Sequence, residues 1–299
     1  MAPWRYSPAT LARWLATINK AHDLAGLRPP GRDPDVADTL AGIRRTRATP
    51  PKRKTPLLLA DLEHVVAGVE VGGWPAAPGG LRNRCLLVMG WVGAFRRSEL
   101  AKLTVGDVTV HGEDGLHVLL RVSKTDPEAK GRIYALPYAR NSALCAPCAW
   151  ARWRIVLDAA DGIDGGSGGR AGVMRATRNL DVEGHICRRP ETTAAPMSGD
   201  PTAPLFRSVK ANGTIGGPID GHVVTAVVKA AAATVGFSPE KIGGHSLRAG
   251  FVTQAFRAGA DAHAIMRQTI ATPKPSRSTP ASPPPSSATP SPNSDSEPR

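Results

Sequence analysis

Residues 43–56, IRRTRATPPKRKTP, set the first limit on how this chain can fold. The paired prolines resist helix, and Arg44, Arg45, Arg47, Lys52, Arg53 and Lys54 stand there without a single acid, so the stretch stays extended. It divides the chain into a thin amino-terminal part and a large remainder. Residues 8–25 read as an amphipathic helix with Leu11, Trp14, Leu15, Ile18 and Leu24 largely on one face, and residues 34–44 as a second short helix. A part of this size buries too little to be robust alone. The expected organisation is therefore a small helical domain with a basic linker at 1–56, a large domain at 57–270, and a tail at 271–299. The tail is rich in Pro and Ser and has no aliphatic or aromatic core former, so it is expected to be disordered.

The large domain should be mostly α with a small antiparallel β-sheet, an α+β fold. LLLADLEHVVAGV carries Asp61 in a probable first helical turn, and LRNRCLLVMGWVGA is apolar enough to be a buried helix ending near Gly93. SELAKLTVGDV reads as a further helix. LHVLLRVSK and GRIYALP read as strands around the turn TDPEAKG. Residues 158–203, with DGIDGGSGG near their start, read as a flexible surface insertion. Helix returns at DGHVVTAVVKAAAATVG and from His245 onward.

With 38 Lys and Arg against 25 Asp and Glu, the net charge is +13, which favours a polyanionic partner, most often nucleic acid. A basic extended linker suits a phosphate backbone, so Arg44, Arg45, Arg47, Lys52, Arg53 and Lys54 are the candidate DNA contacts. There is no run of apolar residues long enough for a membrane span and no apolar stretch at the start for a secretory signal, so a reduced cytoplasmic setting near the nucleoid is expected. Cys145, Cys148, His185 and Cys187 make a zinc site conceivable. The last two are only one residue apart, tight for one ion, so cysteines at a helix start with no ligand role are expected. The reading is no metal and no cofactor.

Three short stretches carry chemistry. GAFRRSELAKL supplies Arg96, with Glu99 one helical turn on as its support. RVSKTDPEAKG supplies Lys124 at a strand end, and GGHSLRAG supplies His245 and Arg248. A phosphodiester passing through a pentacoordinate state gathers charge on its non-bridging oxygens. Two guanidiniums can hold those oxygens with fixed donors. A lysine in a hairpin turn can protonate a leaving oxygen, and a histidine can move a proton at the nucleophile.

In this order and context the three stretches resemble the tyrosine recombinase (phage integrase) family, over roughly residues 57–269 and more loosely over 1–56. AFRRSEL is similar to the family's arginine motif with Arg96 as its arginine, SKTD fits the hairpin lysine with Lys124, and GGHSLR fits His-x-x-Arg with His245 and Arg248. The resemblance implies site-specific DNA recombination and integration through a 3′-phosphotyrosyl link, as in mobile elements, without metal or nucleotide. It implies double-stranded DNA as partner and a homo-oligomer on DNA, tetrameric in the family. It also makes residues 1–56 a partial core-binding (SAM-like) domain ahead of the catalytic domain.

The match stops after AIMRQT. The family places a further histidine or tryptophan, then the tyrosine nucleophile, beyond His-x-x-Arg. This sequence has Tyr6, Tyr134 and Tyr138 only, all before His245. No nucleophile is found, and the change of character at Ile270 reads as an altered or truncated carboxyl-terminal segment. The expectation is a recombinase-family DNA-binding protein that is inactive alone. The alternative is a noncatalytic DNA-binding or scaffolding protein with a vestigial site.

Overall fold

The computed structural model describes residues 6–47, 54–121, 131–163, 166, 168–189 and 199–269. The chain divides into two compact units, Met1–Arg53 and Lys54–Arg299. The boundary lies just before the point expected from the linker, because residues 54–57 are already tied to the larger unit. Thr55 N–H donates to the Lys241 carbonyl at 2.8 Å and Leu57 N–H to the Ser246 carbonyl at 3.1 Å. The Leu57 carbonyl accepts Trp91 Nε1–H at 2.8 Å.

The first unit holds α1 (Pro8–Leu24) and α2 (Pro34–Thr46). Each begins with a proline in its first turn and a polar cap before it. Ser7 accepts the Thr10 amide, and Asp33 accepts the Asp35 amide. Leu11 and Leu15 share a shallow groove with Val36, Leu40 and Ile43. No residue of either helix is buried, and Trp14, Ile18 and Leu24 of the predicted apolar face stay exposed.

The second unit begins with α3 (Leu59–Ala67) and α4 (Ala77–Val92). Helix α4 starts before the apolar run, because Pro78 fits a first turn where its missing N–H costs nothing. Only α5 (Arg97–Leu100) follows, where a longer helix was expected. The chain then enters β1 (Val108–His111), β2 (Gly115–Leu120) and β3 (Arg132–Leu136), an antiparallel sheet in the order β1-β2-β3. Val118 sits opposite both Val108 and Tyr134, and Leu116 opposite Leu136. These residues all lie on the buried face, while Ile133 faces solvent, as a period of two requires.

Helix α6 (Ala146–Asp161) packs on α4 and ends at Gly162, whose φ of 72° serves as a left-handed cap. The expected flexible insertion is corrected here in part: α6 runs into it, α7 (Gly169–Arg178) follows, and Val173, Ile186 and Cys187 are buried. Within DGIDGGSGG, Gly162 caps α6 and Gly169 opens α7, which composition alone cannot distinguish from a loop; residues 164, 165, 167 and 190–198 of the expected insertion lie outside the described residues. The hairpin β4 (Arg207–Val209) and β5 (Ile215–Pro218) leads to α8 (Gly221–Thr234), α9 (Gly244–Arg257) and α10 (Ala262–Thr269). The core centres on fully buried Trp153, Phe206, Leu86, Leu87 and Met89. Trp153 Nε1–H is satisfied by the Leu205 carbonyl at 2.7 Å, so the indole can be buried without an orphaned donor. Where α9 crosses the start of the unit, a side chain on Gly250 would stand 1.7 Å from the Leu57 carbonyl, so the close approach needs glycine. The fold is mostly α with small antiparallel sheets, as expected. The tail from 271 onward lies outside the described residues.

Candidate functional site

Arg96 stands at the N-cap of α5 with extended backbone, φ −71° and ψ 148°. Glu99, three residues on, fixes it twice: Oε2 accepts the Arg96 amide at 2.8 Å, and Oε1 accepts Nη1 at 2.5 Å. Glu99 is the buried partner, its side chain 6% exposed against 22% for Arg96. The guanidinium is thus held from beneath and open above.

Just upstream, Ala94 has φ 49°, a left-handed conformation that costs a non-glycine residue on the order of 1–3 kcal/mol. The Ala94 carbonyl accepts Arg248 Nη1–H at 2.7 Å. Arg248 projects from the first turns of α9, and its Nη2 donates to the carbonyl of Thr269, the last residue of α10. Burial, and then the positive charge of Arg96, lower the Arg248 pKa, although a guanidinium stays protonated. The two cations therefore repel each other across a partly desolvated space. An anion set between them would relieve that repulsion.

Tyr134 on β3 belongs to the same group. Burial pushes its phenol up, Arg132 works against this, and Glu99, Arg248 and Arg96 all act on it. Its ring meets Phe95 edge-on at 5.4 Å. His245 is exposed on the first turn of α9, three residues before Arg248. The structure thus brings together Arg96, Glu99 and Arg248, with His245 on the same helical turn as Arg248. Lys124 lies outside the described residues. A cleft of about 560 Å³ borders Arg96 and Glu99 and is also lined by Lys102 and Arg121. Arg121 Nε–H donates to Asp107 Oδ1 at 2.6 Å, which holds that cation at the rim.

The basic stretch is more divided than its sequence. Arg44 and Arg45 are exposed in the last turn of α2, where cations complement the helix dipole. Arg47 Nη1–H donates to the Tyr6 carbonyl at 3.3 Å. Lys54 belongs to the second unit and donates from Nζ to the Glu240 carbonyl at 2.5 Å. Lys52 and Arg53 lie outside the described residues.

Sequence reasoning missed the part played by Ala94, Thr269 and Tyr134. No signal marks a left-handed alanine, because Gly93 beside it is the residue that sequence would choose for a turn. Cys145, Cys148, His185 and Cys187, judged too closely spaced to serve one ion, are brought together by the fold, with their donor atoms all within 4.8 Å of one another. Among the described residues no helix is long and apolar enough to cross a membrane.

No family model matches the chain. A curated relative, the "Integrase/recombinase xerD homolog" of Selenomonas ruminantium, is 28% identical over 263 residues, covering 87% of this chain. The chain spans 64% of that relative's length. Among solved structures, the Tn1549 transposon integrase in complex with circular intermediate DNA aligns at a TM-score of 0.47 and 19% identity, covering 90% of this chain and 73% of that one. The XerH site-specific recombinase bound to difH substrate aligns at 0.44 and 16%, covering 88% and 63%. These two are structural likenesses and no more.

Proposed function

We propose that this chain, which belongs to the tyrosine recombinase family, binds duplex DNA and holds one backbone phosphate between Arg96 and Arg248. The observation that carries this reading is the hydrogen bond from Arg248 to the Ala94 carbonyl, two residues before Arg96. It brings guanidiniums from distant parts of the sequence to one place, each anchored on its protein side. Glu99 positions Arg96, and Ala94 and Thr269 position Arg248, so neither cation must be ordered when the phosphate arrives. His245 is exposed on the helical turn that carries Arg248, and an imidazole there can accept a proton from an attacking hydroxyl. Lys124 would donate a proton to the leaving oxygen if a nucleophile were supplied, and Lys102 and Arg121 extend the positive rim along the DNA backbone.

No tyrosine of this sequence suits the attacking role. Tyr134 is buried with its phenol pushed up, Tyr138 donates its hydroxyl to the His111 carbonyl at 3.1 Å, and Tyr6 belongs to the first unit. The reaction we assign to these 299 residues is therefore phosphate capture without covalent attack, on DNA at the nucleoid. A 3′-phosphotyrosyl step would need a tyrosine beyond those at positions 6, 134 and 138, within a homo-oligomer assembled on the DNA.

Fluorescence anisotropy with labelled duplex over a salt series tests the phosphate clamp. Arg96→Ala and Arg248→Ala should each weaken binding by about 2 kcal/mol, roughly thirtyfold. Unchanged affinity in both would leave the constellation without a role and favour a scaffolding protein. A nicked suicide duplex should trap no protein-linked band. A band whose adduct maps to a tyrosine of this chain would overturn the assignment of capture without attack.

A further inference from the structure

We propose that Cys145, Cys148, His185 and Cys187 form a structural zinc site that clips the start of α6 to the segment after α7. All four donors lie within 4.8 Å of one another, and three of their separations are close to the edge lengths of a zinc tetrahedron. Cys145 Sγ and Cys187 Sγ are 3.9 Å apart, Cys148 Sγ and His185 Nδ1 3.3 Å, and Cys187 Sγ and His185 Nδ1 3.9 Å. Zinc–sulfur and zinc–nitrogen bonds of about 2.3 and 2.0–2.1 Å in a tetrahedron place ligand atoms about 3.5–3.8 Å apart. The 3.9 Å between the sulfurs is far longer than a disulfide, and all four cysteines of the chain are free.

The orientation of the histidine is the second argument. Its Nε2 lies 2.9 Å from the Arg140 carbonyl. A carbonyl only accepts, so Nε2 carries the proton and Nδ1 turns a lone pair toward the three sulfurs. This is the outer-sphere arrangement that fixes a metal-binding imidazole. The three cysteines are buried and cluster together, with Tyr138 and Ala139 packed beside them as apolar neighbours among the described residues. Three thiols gathered without a ligand would be a poor use of a small core.

The surroundings suit three thiolates on a dication. Cys145 caps α6 and Cys148 lies in its first turn, where the helix dipole favours negative charge. Arg152, one turn further along α6, is 4% exposed and donates to the Asp181 and Gly184 carbonyls, at 2.9 and 2.5 Å. Those bonds hold the loop that delivers His185 and Cys187. The one-residue spacing is no obstacle, because the fold sets Cys187 Sγ and His185 Nδ1 3.9 Å apart across buried Ile186. Four protein ligands leave no open position, so the ion is structural and takes no part in phosphate chemistry. A second group, His111, Asp114 and His117, differs on each count: it is largely exposed, and His111 Nδ1 already accepts the Asp114 amide at 3.1 Å.

The test uses the full chain without a polyhistidine tag. Elemental analysis after gel filtration should find close to one zinc per chain. Metal-free protein loaded with cobalt(II) should develop the visible bands of a tetrahedral ion and a thiolate charge-transfer absorption, both removed by one equivalent of zinc. Peptide mapping after alkylation should find Cys145, Cys148 and Cys187 protected by zinc. His185→Ala, altering an exposed side chain, should keep the fold and weaken zinc by more than the roughly 10–100-fold typical of losing an outer-sphere partner. A featureless cobalt spectrum with equal alkylation in the presence and absence of zinc would overturn the site. So would a His185→Ala protein that holds zinc as tightly as the parent, or a Cys145–Cys187 disulfide in the metal-free native chain. None of these readouts depends on DNA.

Discussion

The two units of this chain use apolar residues in opposite ways. In the first, α1 and α2 carry a clear apolar stripe, yet none of their residues is buried and Trp14, Ile18 and Leu24 remain exposed. In the second, Trp153, Phe206 and the α4 leucines are sealed from solvent in one continuous core. Both patterns look alike on a helical wheel. Periodicity says which face will seek a partner. Only the number of elements that can close over that face decides whether burial follows.

The contrast can be broken or sharpened by mutation, with stability read by chemical denaturation. Trp153→Ala removes a fully buried indole and leaves the Leu205 carbonyl without its donor, so a loss of about 3–5 kcal/mol is expected. A loss below about 1 kcal/mol would mean that the core of the second unit is far looser than its burial implies. Gly250→Ala forces a methyl group against the Leu57 carbonyl and should cost about 1–3 kcal/mol. Leu15→Ala in α1 should cost less than about 1 kcal/mol, because its partners across the groove are only half-buried. Hydrogen exchange should accordingly find the amides of α1 and α2 opening before those of α4 and α6. The reverse order would undo the comparison.

The smallest effect tests a single cap. Asp220 accepts the His222 and Val223 amides at 2.7 and 2.9 Å, and these bonds hold its carboxyl below the usual range, the Val223 bond first. A depressed folded pKa means stability that is present above the unfolded value and lost as pH falls through the folded one. Asp220→Ala should therefore lower the melting temperature at neutral pH, with a difference that closes under acid. A difference that persists unchanged under acid would show that the carboxylate charge has no part in capping α8.

Much of this architecture could be read from particular residues. Ser7-Pro8 and Asp33-Pro34 announce two helix starts, and the unbroken apolar run around Leu86 announces a buried helix. RSEL announced the Arg96–Glu99 pair, because a carboxylate three residues past a helix start reaches back to it. What stayed hidden depends on where the chain bends. SELAKLTVGDV has helical spacing, yet Asp107 accepts the Thr104 amide and turns the chain into β1. The cysteine–histidine group was illegible for a related reason. The Asp181 carboxylate gathers the Glu183 and Gly184 amides into a tight bend, and nothing in the spacing of Cys148 and His185 records that bend.

Leu57 follows the Thr55 bond to the Lys241 carbonyl, and its amide hydrogen-bonds the carbonyl of Ser246, the residue directly after His245 and two before Arg248. Tension on the amino-terminal side that breaks the Lys54 and Thr55 bonds is therefore delivered next to the backbone between those two side chains. A tug strong enough to peel residues 55–57 away would loosen the first turn of α9 before it disturbed Arg96. The last grip of that run falls on the same turn of helix that carries His245 and Arg248.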